Sequence, residues 1–356
     1  MISEQFKSGI IDPDDLILVT GAAGFIGKYV ISNLVGRNFR NIRCLIRHST
    51  KPEAIQFLMQ WSDTCNLELV VGNLLSLADC KMAVQNARIV LHLAAGRGEK
   101  SIPDAYLNSV VTTRNLLSAC AQSGIVKRFV NVSSFAVYTN RHKPQGCVLD
   151  ENCPVERQPH ERGDAYCYAK VKQDEMVETF GNRHGIPYVI VRPGAVYGPG
   201  NLALPGRVGI GTFGLFLHLG GSSKIPLNYV ENCADAIVMA AVIPEIDGEV
   251  FNLVDDDLPT SRMLLRRYKK EVRRFKSVYL PKGWSYGLCM AWECYSRWSR
   301  GQLPPAFNRK RWYANWKKTA YSNQKLRTRL VLTQRVSTEE GLRRFFAACR
   351  EEHLHA

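Results

Sequence analysis

From Leu16 to Arg192 the chain alternates short apolar or β-branched runs with longer stretches of helical periodicity. The runs Leu16–Thr20, Ile42–Arg47, Leu67–Val71, Ile89–Leu93, Arg128–Ser133 and Tyr188–Arg192 read as strands buried on both faces. Between them, apolar positions recur at helical spacing near 25–36, 52–60, 77–86, 103–122 and 165–184. Parallel strands need crossovers of that length, and both faces of a parallel sheet need cover. The pattern therefore predicts an α/β fold with a doubly wound parallel sheet. Beyond Arg192 the alternation breaks into Gly/Pro-rich loops at Pro193–Gly200 and Pro205–Gly211, followed by helical stretches. Pro304-Pro305 with Asn308–Arg311 predicts a loop, and Ser337-Thr338-Glu339-Glu340 a helix start with an acidic first turn.

With 46% hydrophobic and 22% charged residues over 356 positions, the chain has globular composition, which excludes fibres and disordered tails. The net charge of +15 changes the picture only through its location, since residues 261–356 hold 23 Lys+Arg against 6 Asp+Glu. Such a surface attracts phosphorylated substrates, anionic headgroups, nucleic acid or acidic partners. No base-reading motif accompanies it, so no specific nucleic-acid partner is expected. The eleven cysteines form neither Cys-x-x-Cys pairs nor Cys/His clusters, which predicts reduced thiols in a cytoplasmic chain and no metal. Met1–Ser8 lacks an export pattern. The longest uncharged run, Val208–Ser223, has 16 residues with five glycines and a histidine, and is too short and polar to span a bilayer.

Candidate chemistry begins after the first strand, at Thr20-Gly21-Ala22-Ala23-Gly24-Phe25-Ile26-Gly27. Glycines at this spacing let the backbone turn tightly against a pyrophosphate, whose charge sits on the helix N-terminus. The second strand ends in Arg47-His48-Ser49 rather than an acidic residue. A guanidinium suits the 2′-phosphate of NADP, so NADP is slightly favoured over NAD. Tyr166 and Lys170 lie four apart on one helix face, where an ammonium favours the phenolate. Tyr168 is two residues from Lys170 and faces away. Ser133-Ser134 ends a strand at the carboxyl edge, where open sheets bind ligands.

These motifs occur in order with His92-Leu93-Ala94-Ala95, with Asn108, Thr112 and Asn115, and with Arg192–Gly200. Together they resemble the extended short-chain dehydrogenase/reductase family, including its NAD-dependent epimerase/dehydratase group. Tyr229–Ile237, Phe251-Asn252-Leu253, Tyr321–Lys325 and Glu340-Gly341-Leu342 are similar to that family's C-terminal landmarks. The resemblance implies a Rossmann-type domain over 1–192, with a strand and helix returning near 228–254. It implies a smaller, mainly helical, basic substrate lobe over 193–356. It makes Tyr166 the proton-transferring phenol, Lys170 its pKa depressant and a ribose contact, and Ser134 the group that orients the substrate oxygen. Gly21, Gly24, Phe25, Ile26 and Gly27 would cradle the pyrophosphate, with Asn73 and Leu74 near the adenine. Leu93, Ala94, Ala95 and Asn108 would line the cleft, and Pro193 and Val196 would flank the carboxamide.

Departures from the family narrow the chemistry. The Asp-Glu pair that sugar-nucleotide dehydratases carry after the catalytic hydroxyl is Phe135-Ala136 here, so dehydration is disfavoured. Phe135 also replaces the Cys of GDP-fucose synthase. The arginine that many epimerases place before the Tyr-Val landmark is missing, leaving Arg207 or Lys224, with Ser133, as substrate contacts. Tyr229-Val230-Glu231-Asn232 and an aromatic helix over Trp284–Trp298 resemble the 3β-hydroxysteroid dehydrogenase branch. That helix, beside Arg297, Arg300, Arg309, Lys310 and Arg311, suits a lid over an apolar substrate or a peripheral membrane contact, although such helices more often pack on the core. The expected function is hydride transfer at a secondary alcohol or ketone, foremost of a nucleotide sugar, by epimerisation or reduction. A steroid-dehydrogenase-like oxidoreductase on a bulky apolar alcohol is the alternative, and a non-catalytic NAD(P)-sensing protein the alternative from another class. The resemblance also implies a homodimer through the 103–122 and 165–184 helices.

Overall fold

The computed structural model describes residues 9–96, 101–141, 143–144, 146–212, 214–299 and 308–355. Arg300, Pro304 and Pro305 lie outside the described residues. Seven strands form one parallel sheet: β1 (Leu16–Thr20), β2 (Asn41–Ile46), β3 (Asn66–Val71), β4 (Ala87–His92), β5 (Arg128–Val132), β6 (Tyr188–Pro193) and β7 (Val250–Leu253). Their order is β3-β2-β1-β4-β5-β6-β7, with every neighbouring pair parallel. The winding reverses between β1 and β4, so the crevice beyond their carboxyl ends is the topological switch point.

Helices cover both faces. The crossover helices are α1 (Phe25–Gly36), α2 (Pro52–Met59), α3 (Leu77–Val84), α4 (Ile102–Tyr106), α5 (Thr112–Ser123), α6 (Ala165–His184) and α7 (Val230–Val242). Side chains alternate along β1 as a strand requires. Ile17 and Val19 pack with Val30 and Ile31 of α1 and Ile237 of α7, whereas Leu18 packs with Ala83 of α3, Leu116 of α5 and Val177 of α6. The expected 103–122 helix is interrupted by a one-turn π-bulge, Leu107–Val111. α6 starts where the Asp164 carboxylate accepts the Cys167 N–H at 3.1 Å and stops at Gly185, whose φ of 64° is left-handed.

The remaining helices are α8 (Ser261–Glu271), α9 (Lys282–Trp298), α10 (Arg309–Asn315), α11 (Gln324–Arg329) and α12 (Thr338–His355). A small sheet lies among this C-terminal part, in which Leu215–His218 pairs antiparallel with Gly209–Thr212 and parallel with Ser277–Tyr279, while α11 packs on the main-sheet core. Asp255, just past β7, ties this region to the main sheet. Its carboxylate accepts from the Tyr229 N–H (3.0 Å), Asn232 Nδ2 (3.1 Å) and Tyr197 Oη (3.2 Å), while Asn232 also brackets Val336 ahead of α12. Burial pushes the Asp255 carboxyl up to about 6. Gly341 in α12 is obligatory at this contact, because a Cβ there would stand 2.6 Å from Tyr197 Oη.

Candidate active site

The glycine turn sits at the switch point, between β1 and α1. Gly21 has φ +73°, and a Cβ on it would stand 2.9 Å from the Ala94 nitrogen. A Cβ on Gly27 would meet the Ala22 oxygen at 2.6 Å and the Gly21 oxygen closer still. The turn closes onto the β4 loop only because these positions lack side chains. Gly24 caps α1 and is exposed, which leaves the amide end of the helix open toward the crevice. Phe25 and Ile26 are half-buried in its first turn, and Phe25 lies edge-on to Tyr29, whose hydroxyl donates to the Pro199 carbonyl at 3.0 Å. These residues fit a dinucleotide pyrophosphate, with the Gly21–Gly27 cradle supplying the room.

Leu93, Ala94 and Ala95 are half-buried on the facing loop. The π-bulge presses Ser109 against that loop, where its hydroxyl accepts the Gly96 N–H at 3.0 Å, and brings Asn108 Cβ close to Gly96. Asn115 of α5 donates to the Leu74 and Leu75 carbonyls, holding the segment after β3. Asn73 is exposed there, its side-chain oxygen accepting from Leu75 N. Arg47 is exposed at the end of β2. Pro193 is buried at the end of β6 and Val196 half-buried beyond it, in register with Asn228.

Tyr166 and Lys170 both project from α6 toward the β5 end. Burial raises the Tyr166 phenol above its ordinary 10.0, while a hydrogen bond with Ser134 acts in the opposite direction. Lys170 is 4% exposed, and its ammonium donates to the Val132 carbonyl (2.6 Å) and Gln173 Oε1 (2.9 Å). Burial pushes it down to about 8. In the structure the phenol therefore lies above its ordinary value rather than below it, because burial outweighs the Ser134 contact.

A directed hydrogen-bond chain braces the lysine. Gln173 Nε2 donates to Thr113 Oγ1 at 2.8 Å, and that hydroxyl donates to the Ser109 carbonyl at 2.6 Å. Thr113 therefore accepts from His92 Nε2–H (2.8 Å), which leaves His92 Nδ1 to accept from the Thr20 hydroxyl (2.8 Å). Burial, reinforced by Lys170, pushes His92 down to about 3, so the ring is neutral. Gln173 and Thr113 escaped the sequence reading, yet Gln173 stands three residues past Lys170 on the same helical face.

The two serines separate. Ser134 caps the turn Phe135–Val137, accepting from Ala136 N at 3.1 Å, and meets Tyr166. Ser133, expected beside the substrate, is 4% exposed and turned inward near the Asp174 carboxylate, its hydroxyl without a hydrogen-bond partner among the described residues. Asp174 in turn bonds Asn131 (3.0 Å) and Arg192 (3.1 Å), so Ser133 belongs to a buried ionic floor beneath the site. Phe135 stacks on Tyr321 at 5.8 Å, and Arg207 donates to Tyr321 Oη at 3.4 Å and to the Ala314 carbonyl at 2.6 Å. Arg207 therefore borders the site through an aromatic pair, whereas Lys224 is exposed on an isolated bridge to Thr260.

The model of the NAD dependent epimerase/dehydratase family matches residues 17–253, from β1 through β7. The chain belongs to this family. It is 27% identical over 257 residues to an Arabidopsis thaliana trifunctional UDP-glucose 4,6-dehydratase/UDP-4-keto-6-deoxy-D-glucose 3,5-epimerase/UDP-4-keto-L-rhamnose-reductase, covering 67% of this chain and 36% of that protein. It is 30% identical over 186 residues to cinnamoyl-CoA reductase 1 of Oryza sativa subsp. japonica, covering 52% of this chain and 54% of that one. The match thus spans about a third of the first relative's length and about half of the second's. A solved UDP-glucuronic acid 4-epimerase from Bacillus cereus, in complex with UDP-glucuronic acid and NAD, has the same fold: TM-score 0.70 at 18% identity, over 94% of this chain and 99% of that one. The relatives it matches are named as dehydratases, epimerases and reductases. Among the described residues no helix is long and apolar enough to cross a membrane.

Proposed function

We propose that the protein catalyses hydride transfer at a secondary alcohol or ketone of a nucleotide sugar, as a 4-epimerisation or a ketone reduction. The observation that carries this reading is the meeting of Ser134 and Tyr166 at the carboxyl edge of the sheet, where the serine acts on the phenol against burial, with Lys170 anchored one turn away. When bound, the nicotinamide supplies or accepts the hydride. Tyr166 Oη moves the hydroxyl proton and Ser134 holds the reacting oxygen, while buried Lys170 stabilises charge that develops on the phenol. The glycine cradle and the open end of α1 bind the pyrophosphate, and Asn73 and Leu74 border the adenine. Leu93, Ala94, Ala95, Asn108, Pro193 and Val196 enclose the nicotinamide half. Arg47, at the end of β2 in place of an acid, supports NADP over NAD. Arg207, which borders the site through Tyr321, is the first cation for the substrate's diphosphate, ahead of Lys224. Phe135, 3% exposed and stacked on Tyr321, leaves no acid/base pair after Ser134, which supports epimerisation or reduction over dehydration.

A second reading, oxidation or reduction of a bulky apolar alcohol, is favoured by the exposed aromatics of α9 and by the likeness to a cinnamoyl-CoA reductase. A non-catalytic sensor has no use for the Ser134–Tyr166–Lys170 set. The eleven free thiols suit a cytoplasmic site, and the proposal includes a homodimer through α4, α5 and α6 and a peripheral membrane contact of the C-terminal lobe. The test is to denature freshly purified protein and identify the nucleotide released. Stoichiometric NAD(H) supports an epimerase, which retains its cofactor between half-reactions; an empty site that takes up NADPH supports the reductase. Absence of binding to either nucleotide would sink both.

A further inference from the structure

Helix α9 packs Cys289 and Tyr286 against Trp312, yet carries a second apolar face on its outside. Its inward positions are Ser285, Cys289 and Ser296, all buried, while Trp284 and Trp298 are 73% and 77% exposed. Leu288 and Tyr295 are exposed beside them, and Tyr295 stacks on Trp298 at 5.7 Å. At 100° per residue, Trp284, Leu288, Ala291, Tyr295 and Trp298 fall within about 80° of the helix circumference. They make a stripe about 21 Å long at 1.5 Å per residue. The orientation is fixed from inside, because the Ser285 hydroxyl accepts the Trp312 indole N–H at 2.9 Å. Turning the tryptophans inward would break that bond.

The cations expected to accompany this helix are partly spoken for: Arg309 pairs with Glu293 at 2.8 Å and Lys310 with Glu161 at 2.7 Å. The available positive charge lies just before α9. Arg266, Lys269, Lys270, Arg274, Phe275 and Lys276 line a surface cavity of about 560 Å³ without a carboxylate among them. From there the strand Ser277–Tyr279, with Val278 and Tyr279 exposed, leads directly to Lys282. We propose that α9 lies in the headgroup layer of an anionic bilayer, its aromatic stripe at the acyl boundary and the 266–276 cluster on anionic headgroups. Tryptophan and tyrosine favour that layer because one end of the ring system is apolar and the other wet. A second copy of the chain is the poorer occupant, since residues 261–356 carry 23 Lys+Arg against 6 Asp+Glu and would repel themselves. The contact is in-plane, as no described helix is apolar enough to span. It names the surface behind the membrane contact of the proposed function and stands apart from the catalytic reading, because vesicle binding requires no turnover.

Co-sedimentation of the full chain with phosphatidylcholine vesicles, with and without phosphatidylglycerol, tests this. The wild type pellets with the anionic vesicles and is released by salt. Replacing both tryptophans (Trp284→Ser, Trp298→Ser) lowers partitioning roughly tenfold or more. Lys270→Ala and Arg274→Ala each lower it roughly fivefold on anionic vesicles only. Unchanged thermal melting and nucleotide binding in each variant exclude misfolding. Wild-type protein that stays in the supernatant with both vesicle types overturns the proposal, as does a double tryptophan variant that pellets like wild type. Sedimentation of wild type as a dimer and the variant as a monomer, without vesicle binding, assigns the stripe to a second copy and overturns it too.

Discussion

Lys170 carries an ammonium into a place where water cannot reach it, held by two acceptors and favoured in its charged form by the Asp174 carboxylate. Removing one, by Gln173→Leu, favours the neutral amine and moves the lysine below its present value of about 8. At pH 7 turnover should fall roughly twofold for the first unit of that shift and approach roughly tenfold per unit beyond it, and the pH optimum of the oxidative direction should move upward, because the phenolate of Tyr166 loses a nearby cation. A pH–rate profile checks this; an unchanged profile with reduced thermal stability would make Gln173 merely structural. Tyr166→Phe should cost ~10²–10⁴ in turnover while leaving nucleotide affinity largely intact, measured by titration of intrinsic fluorescence. Arg47→Asp should shift preference from NADP toward NAD; NADP preference that survives it reduces Arg47 to a surface charge. At this scale Tyr166, Lys170 and the glycines were legible in the sequence because their spacing alone puts them together. Ser134 was singled out over Ser133 by its place three residues before Val137-Tyr138 in the family pattern, whereas no local pattern announces that Ser133 packs inward near Asp174.

Among the elements, β1 and α1 were readable almost to the residue, since a strand buried on both faces and a glycine-opened helix leave strong local signals. The break in the 103–122 helix was not readable, because no helix breaker marks it: the π-bulge coincides with the contact of Ser109 to the 93–96 loop, which is distant in sequence. The hairpin of Gly209–Thr212 and Leu215–His218 hid in an uncharged, glycine-rich run whose alternation is too diluted to register. In α9 the aromatic stripe was visible but its direction was not: periodicity gives a face, and only the Ser285–Trp312 bond says which face turns inward. The turn between β1 and α1 offers the sharpest element-level test. Gly27→Ala sets a methyl against the Ala22 and Gly21 carbonyls, so the turn must open. Loss of nucleotide binding with a lowered melting temperature is expected; a variant that binds normally would mean the cradle is not the pyrophosphate site.

Across the whole molecule, two buried titrating groups pull acid stability in opposite directions. His92 has a folded value near 3 against an ordinary 6.5, so the unfolded chain binds more protons and stability falls as pH drops through that window. Asp255 has a folded value near 6 against 3.8, so the folded chain binds more protons and stability rises as pH falls from about 6 to 4. Asp255→Asn removes the second contribution. Between pH 7 and about pH 4.5, urea unfolding of the variant should decline by roughly 2 kcal/mol more than that of wild type. Equal declines would mean that the Asp255 hub is charged throughout. The same hub joins the C-terminal region to the main sheet, and with it places Tyr321 and Arg207 beside Phe135 at the proposed catalytic mouth. The most direct test of that mouth is the absorbance of reduced nicotinamide when nucleotide-loaded protein is mixed with UDP-, GDP- and dTDP-sugars. With the oxidised cofactor bound, a rise with at least one of them in wild type, absent in Tyr166→Phe, is expected; no response to any sugar from protein that binds its cofactor, or an equal response from the variant, would contradict hydride transfer from a nucleotide sugar through Tyr166.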